Sequence, residues 1–307
     1  MIAEDMNSLN SKKEYREGII SVLGCNIWWG IMPIYWQWLK PIDSWVIIFY
    51  RIFLVAVVCA IAAWKVHTKD EIMAVLKNRK LVLRIIAAGI MITINWSIYI
   101  WAVNSDHIIQ TSIGYYIEPL VVCLFGVFLF REKLNRYKAI ALIMGFIGVI
   151  AVVAYFREMP TIALGVAVTF SIYTAMKKGL KLPPIMSLLF ETMFLAPFAL
   201  IVIIYIEAKG IGGLSAGGFK YFLLMFCGLF TAFPLVLFAN AANKISMFVL
   251  GLSEYISPTI ALFLSIFYFK EDFAPVQLIA FVIIWIGLIF FTIGEYKEYK
   301  NDSIEGT

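Results

Sequence analysis

The chain has 307 residues, of which 62% are hydrophobic and 15% are charged, and its mean hydropathy is +0.89. A soluble domain has about 45–50% apolar and about 25% charged residues, so this composition excludes the two soluble domains that the length alone would allow. The formal net charge of +5 is accounted for by basic residues in loops on one side of the predicted membrane, described below. A nucleic-acid site would need a concentrated basic patch instead.

Several apolar runs are long enough to cross a bilayer, which takes about 20 mostly apolar residues. The predicted spans are, in chain order, 17–38, 45–65, 82–103, 108–130, 138–156, 160–177, 184–206, 219–241, 246–269 and 275–294. We therefore predict an all-α integral membrane protein with about ten transmembrane helices.

Lys and Arg predict the orientation of the spans, because cytoplasmic loops of membrane proteins carry an excess of basic residues. With the N-terminus in the cytoplasm, about 19 basic residues, Lys177 among them, fall in inside segments and about 5 in outside segments. The polar tails at 1–16 and 295–307 are then both cytoplasmic. The basic, amphipathic loop 65–84 is predicted to lie along the membrane surface.

The second half of the chain repeats the first about 139 residues later. The segment YIEPLVVCLFGVFLFRE at 116–132 aligns without a gap with YISPTIALFLSIFYFKE at 255–271. Each copy holds about five predicted spans, an odd number, so the second copy must enter the bilayer upside down. Inverted repeats of this kind are typical of secondary transporters. We predict a first five-helix repeat at 17–156 and a second, inverted one at 157–294.

Ionisable residues inside the predicted spans are the main site candidates, because each costs at least about 2.5–3.5 kcal/mol at the bilayer centre. They are Arg51, Glu118, Glu191 and Glu254. Arg51 and Glu191 lie at nearly equivalent positions of the two repeats. Two interpretations stay open for them: a direct pair with both side chains extended, or bonds from each residue to neighbouring backbone or water, by which it orients its own helix.

Glu118 and Glu254 are both predicted near the middle of a span, and each precedes a proline, Pro119 or Pro258. Proline lacks the backbone donor and clashes with the carbonyl four residues before it, so we predict a broken or kinked helix in each repeat. Transporters bind substrate at such breaks near the midplane. These carboxylates suit proton coupling or the capture of a cationic or amino group. The alternative is a packing kink whose carboxyl group is buried in the bundle.

Other polar and aromatic residues are predicted beside these acids. Asn95 and Trp96, in ITINWSIYIWAVN, offer hydrogen bonds and a ring face to a ligand, or else they bond an adjacent helix. The predicted substrate-binding residues are Asn95, Trp96, Tyr115, Glu118, Glu254 and Ser257. The predicted gating or helix-orienting residues are Arg51, Glu191, Pro119 and Pro258.

The motifs of nucleotide, metal and hydrolase sites are missing from the sequence. It has no Walker loop, no GxGxxG after a strand, no HExxH and no GxSxG. Its four cysteines are scattered one per apolar run, and its two histidines, His67 and His107, cannot form a metal site by themselves. We therefore predict no metal and no cofactor, and the sequence argues against an ATP-driven pump.

Four segments resemble the RarD branch, or chloramphenicol-sensitive protein family, within the EamA group of the drug/metabolite transporter superfamily. They are NWSIYIWAVN at 95–104, SIGYYIEPLVVCLFGVFLFREKL at 112–134, FETMFLAP at 190–197 and LGLSEYISPTIALFLSIFYFKE at 250–271. The resemblance covers nearly the whole chain. It implies a protein of the bacterial cytoplasmic membrane that moves small solutes outward. The branch commonly has Asn and Gln where this chain has Glu118 and Glu254, which implies a more anionic cavity here.

Together these features predict a secondary transporter or facilitator that exports a small organic metabolite or drug-like solute by alternating access, as a monomer or a homodimer. One alternative is a membrane receptor that binds a ligand without moving it, although sensing does not require access from two sides. Another alternative is an intramembrane enzyme, for which Asp106 and His107 are the only acid and histidine that are adjacent in the sequence.

Overall fold

In the computed structural model the chain is a bundle of helices, and the residues described are 2–104, 108–157, 159–270 and 274–304. In chain order the helices are α1 (Ile2–Trp38), α2 (Ser44–Val66), α3 (Lys69–Lys77), α4 (Arg79–Asn104), α5 (Ile108–Phe128), α6 (Arg136–Phe156), α7 (Thr161–Leu180), α8 (Pro184–Met193), α9 (Ala196–Ala208), α10 (Gly218–Met225), α11 (Cys227–Lys244), α12 (Met247–Ser253), α13 (Ile256–Leu264) and α14 (Pro275–Ile304). A 3₁₀ turn at Gly213–Ala216 precedes α10, and a π-helical turn at Ser265–Phe269 follows α13. The described residues contain no strand, which confirms the all-α prediction.

Each predicted span coincides with one helix or with a consecutive group of helices. Within the ranges given above, seven helical stretches are long and apolar enough to cross a membrane, or eight if the bent pair α8–α9 counts as one span. Helix α5 contributes a shorter apolar stretch, Ile113–Phe128, and α7 is not among the seven. The fold class is therefore that of an all-α membrane protein, while the total of about ten spans stays a prediction.

The first and last helices are longer than the predicted spans. Helix α1 starts at Ile2 and α14 ends at Ile304, so both continue into the segments predicted to be polar tails. A helix that leaves the membrane can continue in water because its backbone hydrogen bonds are internal to the helix. The residues 105–107 lie outside the described ranges, so the Asp106–His107 pair cannot be placed.

Helices of the two predicted repeats pack against one another rather than forming separate halves. Helix α1 contacts α11 and α13, α5 contacts α7 and α12, and α2 contacts α8 and α11. Glycines permit the closest approaches. A Cβ at Gly89 would lie 2.6 Å from the carbonyl oxygen of Glu191, and one at Gly228 would lie 2.4 Å from the Cβ of Leu54. Gly89 and Gly228 align in the sequence repeat, so both copies use a glycine for close helix packing.

The ninth predicted span is interrupted beside its proline. Helix α12 ends at Ser253, Glu254 is its C-cap and α13 begins at Ile256. Pro258 has no N–H to donate to the carbonyl of Glu254, and the N–H of Ser257 donates to it instead (3.3 Å). In contrast, α5 runs through Pro119 without an interruption. The predicted break is therefore present in the second repeat, and the first repeat keeps a continuous helix.

The seventh predicted span is also interrupted, although the apolar run 184–206 predicted a single span. Helices α8 and α9 meet at an angle of 54°. Pro197 occupies the first turn of α9, where its missing N–H costs nothing because the first N–H groups of a helix have no intrahelical partner. Proline at this position favours the start of a new helix over the continuation of α8.

Candidate substrate cavity

A cavity of about 640 Å³ lies between helices of both repeats. This volume is within the range of about 300–1,000 Å³ that is typical of small-molecule sites. Its lining includes all the residues predicted to bind substrate and three of the four predicted to gate or orient helices, namely Asn95, Trp96, Tyr115, Glu118, Glu254, Ser257, Arg51, Pro119 and Pro258. Glu191 is not part of the lining.

The cavity lies toward one end of the bundle. We call the end where α1 and α14 meet, through the hydroxyl of Tyr15 donating to Glu295 (2.8 Å), the terminal end, and the opposite one the far end. The lining begins at Asn26 on α1 and at Glu254 next to α12, and from both residues it runs toward the far end. On α14 it includes Gln277, near the start of the helix. The cavity therefore occupies the far half of the bundle, with Glu254 at its inner limit.

Two carboxylates face this space. Glu254 is 5% exposed, and both of its carboxylate oxygens are buried without a hydrogen-bond partner among the described residues. Glu118 lines the same cavity from α5. An ionised carboxylate that is buried without a partner costs several kcal/mol, so a proton, a water molecule or a bound cation must compensate it. Neither acid forms an ion pair with the described residues, and both line the inner part of the cavity.

Arg51 is held between two indole rings. Its guanidinium carbon lies 5.0 Å from the ring centroid of Trp36 and 4.5 Å from that of Trp96, distances at which a cation is attracted to the ring face. Its Nε donates to the hydroxyl of Thr231 (3.2 Å). No carboxylate of the described residues forms an ion pair with it. The guanidinium therefore lines the cavity as a cation that aromatic rings, and not an acid, stabilise.

Glu191 belongs to a separate buried cluster, so it does not pair with Arg51. Its Oε1 lies 2.7 Å from the ammonium of Lys177, and both side chains are 1% exposed. The hydroxyl of Ser187 donates to the same oxygen (2.7 Å), and the hydroxyl of Tyr173 donates to Oε2 (3.1 Å). This cluster ties α7 to α8 within the bundle. Neither interpretation predicted this ion pair, since one gave Arg51 and the other gave neighbouring backbone or water as the partner of Glu191. A helix-orienting role for Glu191 stays a prediction.

Lys177 is buried, although its position at the end of a predicted span placed it among the basic residues of inside segments. A signal was nevertheless present in the sequence. Val166, Phe170, Tyr173 and Lys177 follow one another at intervals of three or four residues, and all are buried on one face of α7. A lysine that continues an apolar stripe at helical spacing requires a buried acid as its partner.

Asn95 and Trp96 line the cavity, and each also contacts a neighbouring residue of the protein. The amide nitrogen of Asn95 donates to the carbonyl of Val166 (2.8 Å) and to the hydroxyl of Thr169 (3.1 Å). Asn95 thus bonds the adjacent helix α7, and Trp96 packs over Arg51. Direct contact of either residue with a substrate stays a prediction.

Further lining residues were not singled out from the sequence. Tyr99 pairs with Tyr115 at a ring-centroid distance of 6.0 Å, and Tyr115 is 41% exposed. Asn26 is completely buried, its amide nitrogen donates to the carbonyl of Val22 (2.8 Å) and its oxygen has no partner among the described residues. A lone Asn in an apolar run was the signal for Asn26, since such an amide must be paired inside a membrane.

Two stretches of the chain, residues 16–154 and 159–293, match the EamA-like transporter family. The chain belongs to this family. It is 34% identical to "Uncharacterized transporter YojE" of Bacillus subtilis (strain 168), over 92% of this chain and 96% of that protein. It is 33% identical to "Protein RarD" of Streptomyces exfoliatus, over 92% and 90% of the two chains, and 27% identical to "Protein RarD" of Escherichia coli (strain K12), over 95% and 99%. These relatives confirm the RarD branch.

A solved crystal structure shares the fold of this EamA-family chain, with a TM-score of 0.67 over 91% of this chain and 98% of the other at 15% identity. The family and the names of the relatives indicate a transporter for a small molecule. Together with the apolar helices, they indicate a multi-pass protein of the bacterial inner membrane. Relatives that are named transporters also speak against an enzyme.

Between the acids Glu118 and Glu254 and the terminal end, the helices of the transporter are tightly packed. A Cβ at Gly251 of α12 would lie 2.9 Å from the carbonyl oxygen of Pro119, so only a glycine lets α12 approach α5 this closely. The hydroxyl of Tyr255, the N-cap of α13, donates to the carbonyl of Tyr116 on α5 (2.9 Å). Tyr116 and Tyr255 align in the sequence repeat. The floor of the cavity is thus formed by equivalent segments of the two repeats.

Nearer the terminal end, hydrogen bonds join the loops on either side of this contact. The carboxylate of Glu132 accepts from the backbone N–H groups of Met247 (2.6 Å) and Phe248 (2.8 Å), which form the N-terminus of α12. The amide of Asn243 donates to the carbonyl of Leu182 (2.9 Å). These bonds join the segment after α5 to α12 and the segment after α7 to α11 at the terminal end of the bundle.

Proposed function

We propose that this transporter exports a small organic solute through the cavity by alternating access. The observation that carries the proposal is a cavity between the two repeats, with an unpaired buried acid, Glu254, at its inner limit and a closed segment of the bundle below it. Broken helices beside a midplane site are the arrangement from which secondary transporters release and rebind substrate. With both termini in the cytoplasm, the conformation described above is the outward-facing one.

The same proposal includes coupling to protons through Glu254 and Glu118. A buried carboxylate without a hydrogen-bond partner is stabilised either by a proton or by a substrate cation. If the proton and the substrate cation replace each other at the same carboxylate, the movement of each across the membrane depends on the movement of the other. A pH gradient across the membrane would therefore drive the solute in the direction opposite to the proton.

Transport itself is tested by solute flux from proteoliposomes that contain the purified full chain and are loaded with a pooled bacterial metabolite extract. We expect at least one solute to leave faster than from protein-free vesicles. Ala261→Trp, which places a large side chain into the cavity, should remove this flux. Loss of solutes is measured by mass spectrometry after filtration.

The matched control for this experiment is Leu278→Trp, which adds the same ring at an exposed position of α14 outside the cavity. It should transport at the wild-type rate. Equal flux from wild type and Ala261→Trp would contradict a route through this cavity. Absence of any protein-dependent flux would contradict transport and favour a receptor that binds without moving its ligand.

Water access to the cavity can be tested by cysteine labelling, since Cys25, Cys59, Cys123 and Cys227 are all buried and should not react. We expect Ser257→Cys to react with a membrane-impermeant maleimide that is added outside intact cells. Ser171→Cys, at a completely buried position of α7, is the unreactive control. Labelling only in inverted vesicles would reverse the proposed orientation, and no labelling from either side would contradict a water-filled cavity.

A further inference from the structure

The first turn of α12 is held by a carboxylate from the other repeat. Oε1 of Glu132 accepts from the N–H of Met247 (2.6 Å), and Oε2 accepts from that of Phe248 (2.8 Å). The first N–H groups of a helix have no partner within the helix, and the helix dipole favours a negative charge there. Both bonds are charge-assisted and therefore stronger than bonds between neutral groups. Glu132 thus fastens the segment after α5 to the start of α12.

The backbone before Glu132 directs its side chain toward α12. Arg131 has a φ of 54°, in the left-handed region, and the N–H of Glu132 donates to the carbonyl of Gly126 (3.0 Å). The chain therefore turns back on the last turn of α5. A Cβ at Gly126 would lie 2.8 Å from Oε2 of Glu132 and 3.1 Å from the nitrogen of Phe248. A glycine at this position leaves the room that the carboxylate needs against α12.

The start of α12 also has a cap from its own segment. The hydroxyl of Ser246 accepts from the N–H of Val249 (3.1 Å), which is the usual arrangement of an N-cap serine. This bond stabilises the helix itself, because both residues belong to the same short segment. The bonds of Glu132 act between the repeats instead, and they hold α12 against α5. Substitution can therefore separate the two kinds of contact.

Helix α12 joins the contact with Glu132 to the cavity. It has seven residues, Met247–Ser253, of which the first six are buried, and its C-cap is Glu254. Seven helical residues span about 10 Å. The chain is extended before α12, at Ile245 (ψ 164°), and it is interrupted again after Glu254. The helix can therefore shift as a unit without bending a longer helix.

A native thiol reports whether α12 lies against α5. Cys123 of α5 is completely buried, and its thiol donates to the carbonyl of Phe248 (3.5 Å). A Cβ at Gly251 would lie 3.0 Å from the same sulfur atom. Helix α12 covers the thiol, so Cys123 should react with a reagent in water only when α12 moves away from α5.

We propose that Glu132 is the latch of an inner gate, formed by the contact of α5 with α12, and that α12 couples this latch to Glu254. This inference rests on the proposed alternating access. The cavity can open toward the terminal end only if α12 leaves α5, which breaks both bonds of Glu132. While the carboxylate of Glu254 is charged and unpaired, it favours the form in which water reaches it from the far end. Neutralising Glu254 removes this preference and makes release of the latch easier.

The test is the rate at which Cys123 reacts with a membrane-impermeant maleimide in inverted vesicles that contain the full chain. Label at other cysteines is subtracted with Cys123→Ala. We expect Glu132→Gln to raise this rate at least about tenfold, which is the change in an equilibrium when one charge-assisted hydrogen bond is lost. Glu254→Gln should raise it at least about threefold, because the charge that favours the outward-facing form is gone.

The matched control is Ser246→Ala, which removes the cap within the segment of α12 and leaves the bonds to Glu132. Its rate should stay within about twofold of wild type. Where Glu132→Gln does not fold, Glu132→Asp is the second variant, which keeps the charge and shortens the reach of the side chain. It should raise the rate in the same direction by a smaller factor.

A second measurement separates opening of the gate from local loosening of α12. Ser257→Cys is added to Glu132→Gln and is first blocked with a bulky impermeant maleimide from outside intact cells. The adduct occupies the cavity, so the far end cannot close and the terminal end cannot open. We expect this block to return the rate of Cys123 to within about twofold of wild type. Local loosening of α12 would leave the rate high.

Three results would overturn the latch: an unchanged rate of Cys123 in the variants of Glu132, an equal increase in Ser246→Ala, or an increase that persists after the block at residue 257. An unchanged rate in Glu254→Gln would overturn the coupling through α12. The transport function is judged separately by the flux experiment. Flux with an unchanged rate of Cys123 would remove the latch and keep the transporter, whereas the expected rates without any flux would do the reverse.

Discussion

Glu254→Gln is expected to abolish the effect of a pH gradient on solute flux while the protein remains folded. The change keeps the shape of the side chain but removes its ability to take up and release a proton. It breaks no hydrogen bond with the described residues, because the carboxylate oxygens of Glu254 have none. The change would also remove the proposed charge-assisted hydrogen bond from the bound substrate to Glu254. Such a bond is worth about 1.5–3 kcal/mol, so its loss should lower the flux by about 10–100-fold.

The measurement is flux of the solute identified in the proteoliposome experiment, with and without an imposed pH gradient. The control is Glu71→Gln, which neutralises an exposed carboxylate on α3 that caps its own helix and lies outside the cavity. It should respond to the gradient as wild type does. An unchanged gradient response in Glu254→Gln would remove this residue from proton coupling, and the same comparison with Glu118→Gln would show whether the other acid carries the proton.

Lys177→Met is expected to destabilise the protein by about 3–5 kcal/mol, because it leaves the carboxylate of Glu191 buried without its cation. The ammonium of Lys177 also donates to the hydroxyl of Ser187 (2.8 Å). The substitution therefore removes two polar contacts between α7 and α8, one to Glu191 and one to Ser187. The free energy of unfolding is measured by denaturation in mixed micelles. The double variant Lys177→Met/Glu191→Gln should recover most of the loss, since it removes both charges and keeps an acceptor for Tyr173.

The matched control is Lys65→Met, which removes an exposed lysine at the end of α2 and should change the stability by less than about 0.5 kcal/mol. Similar stabilities of Lys177→Met and Lys65→Met would show that the ion pair does not hold α7 to α8. A double variant as unstable as the single one would show that the loss comes from packing of the lysine chain and not from the unpaired charge.

The positions of the helices and of the cavity residues could be predicted because they depend on local properties of the chain. Long apolar runs determine where helices cross the bilayer, and a charge within such a run has few stable places outside an interior cavity. Glu254 with Pro258 four residues later also predicted the interruption of the helix, since a proline removes the donor for that carbonyl. These inferences required only the sequence spacing.

The partners of the buried charges could not be predicted in the same way. Depth along a helix left a pair between Arg51 and Glu191 open, but the rotation of each helix decides which side chains meet. Glu191 faces Lys177 on α7, and Arg51 faces two indoles. The continuity of α5 through Pro119 likewise depends on how neighbouring helices pack around it, as at Gly251.

The helix that contains Pro119 is continuous, whereas the one before Pro258 is interrupted, and this difference has a consequence for the transport cycle. Two identical inverted repeats would give inward-facing and outward-facing forms of the same energy, since a two-fold rotation about an axis in the membrane plane would turn one form into the other. Here one repeat has a continuous helix at Pro119 and the other has an interruption at Glu254 followed by a π-helical turn. Under the proposed alternating access, the opposite form would place the interruption in the other repeat, where the sequence differs: Glu118 aligns with Ser257, and Tyr115 aligns with Glu254. The two forms would therefore be inequivalent, and one would predominate in the absence of substrate. Such a transporter acts as a rectifier: it presents different affinities to the two sides of the membrane, although the gradients alone set the final direction of movement.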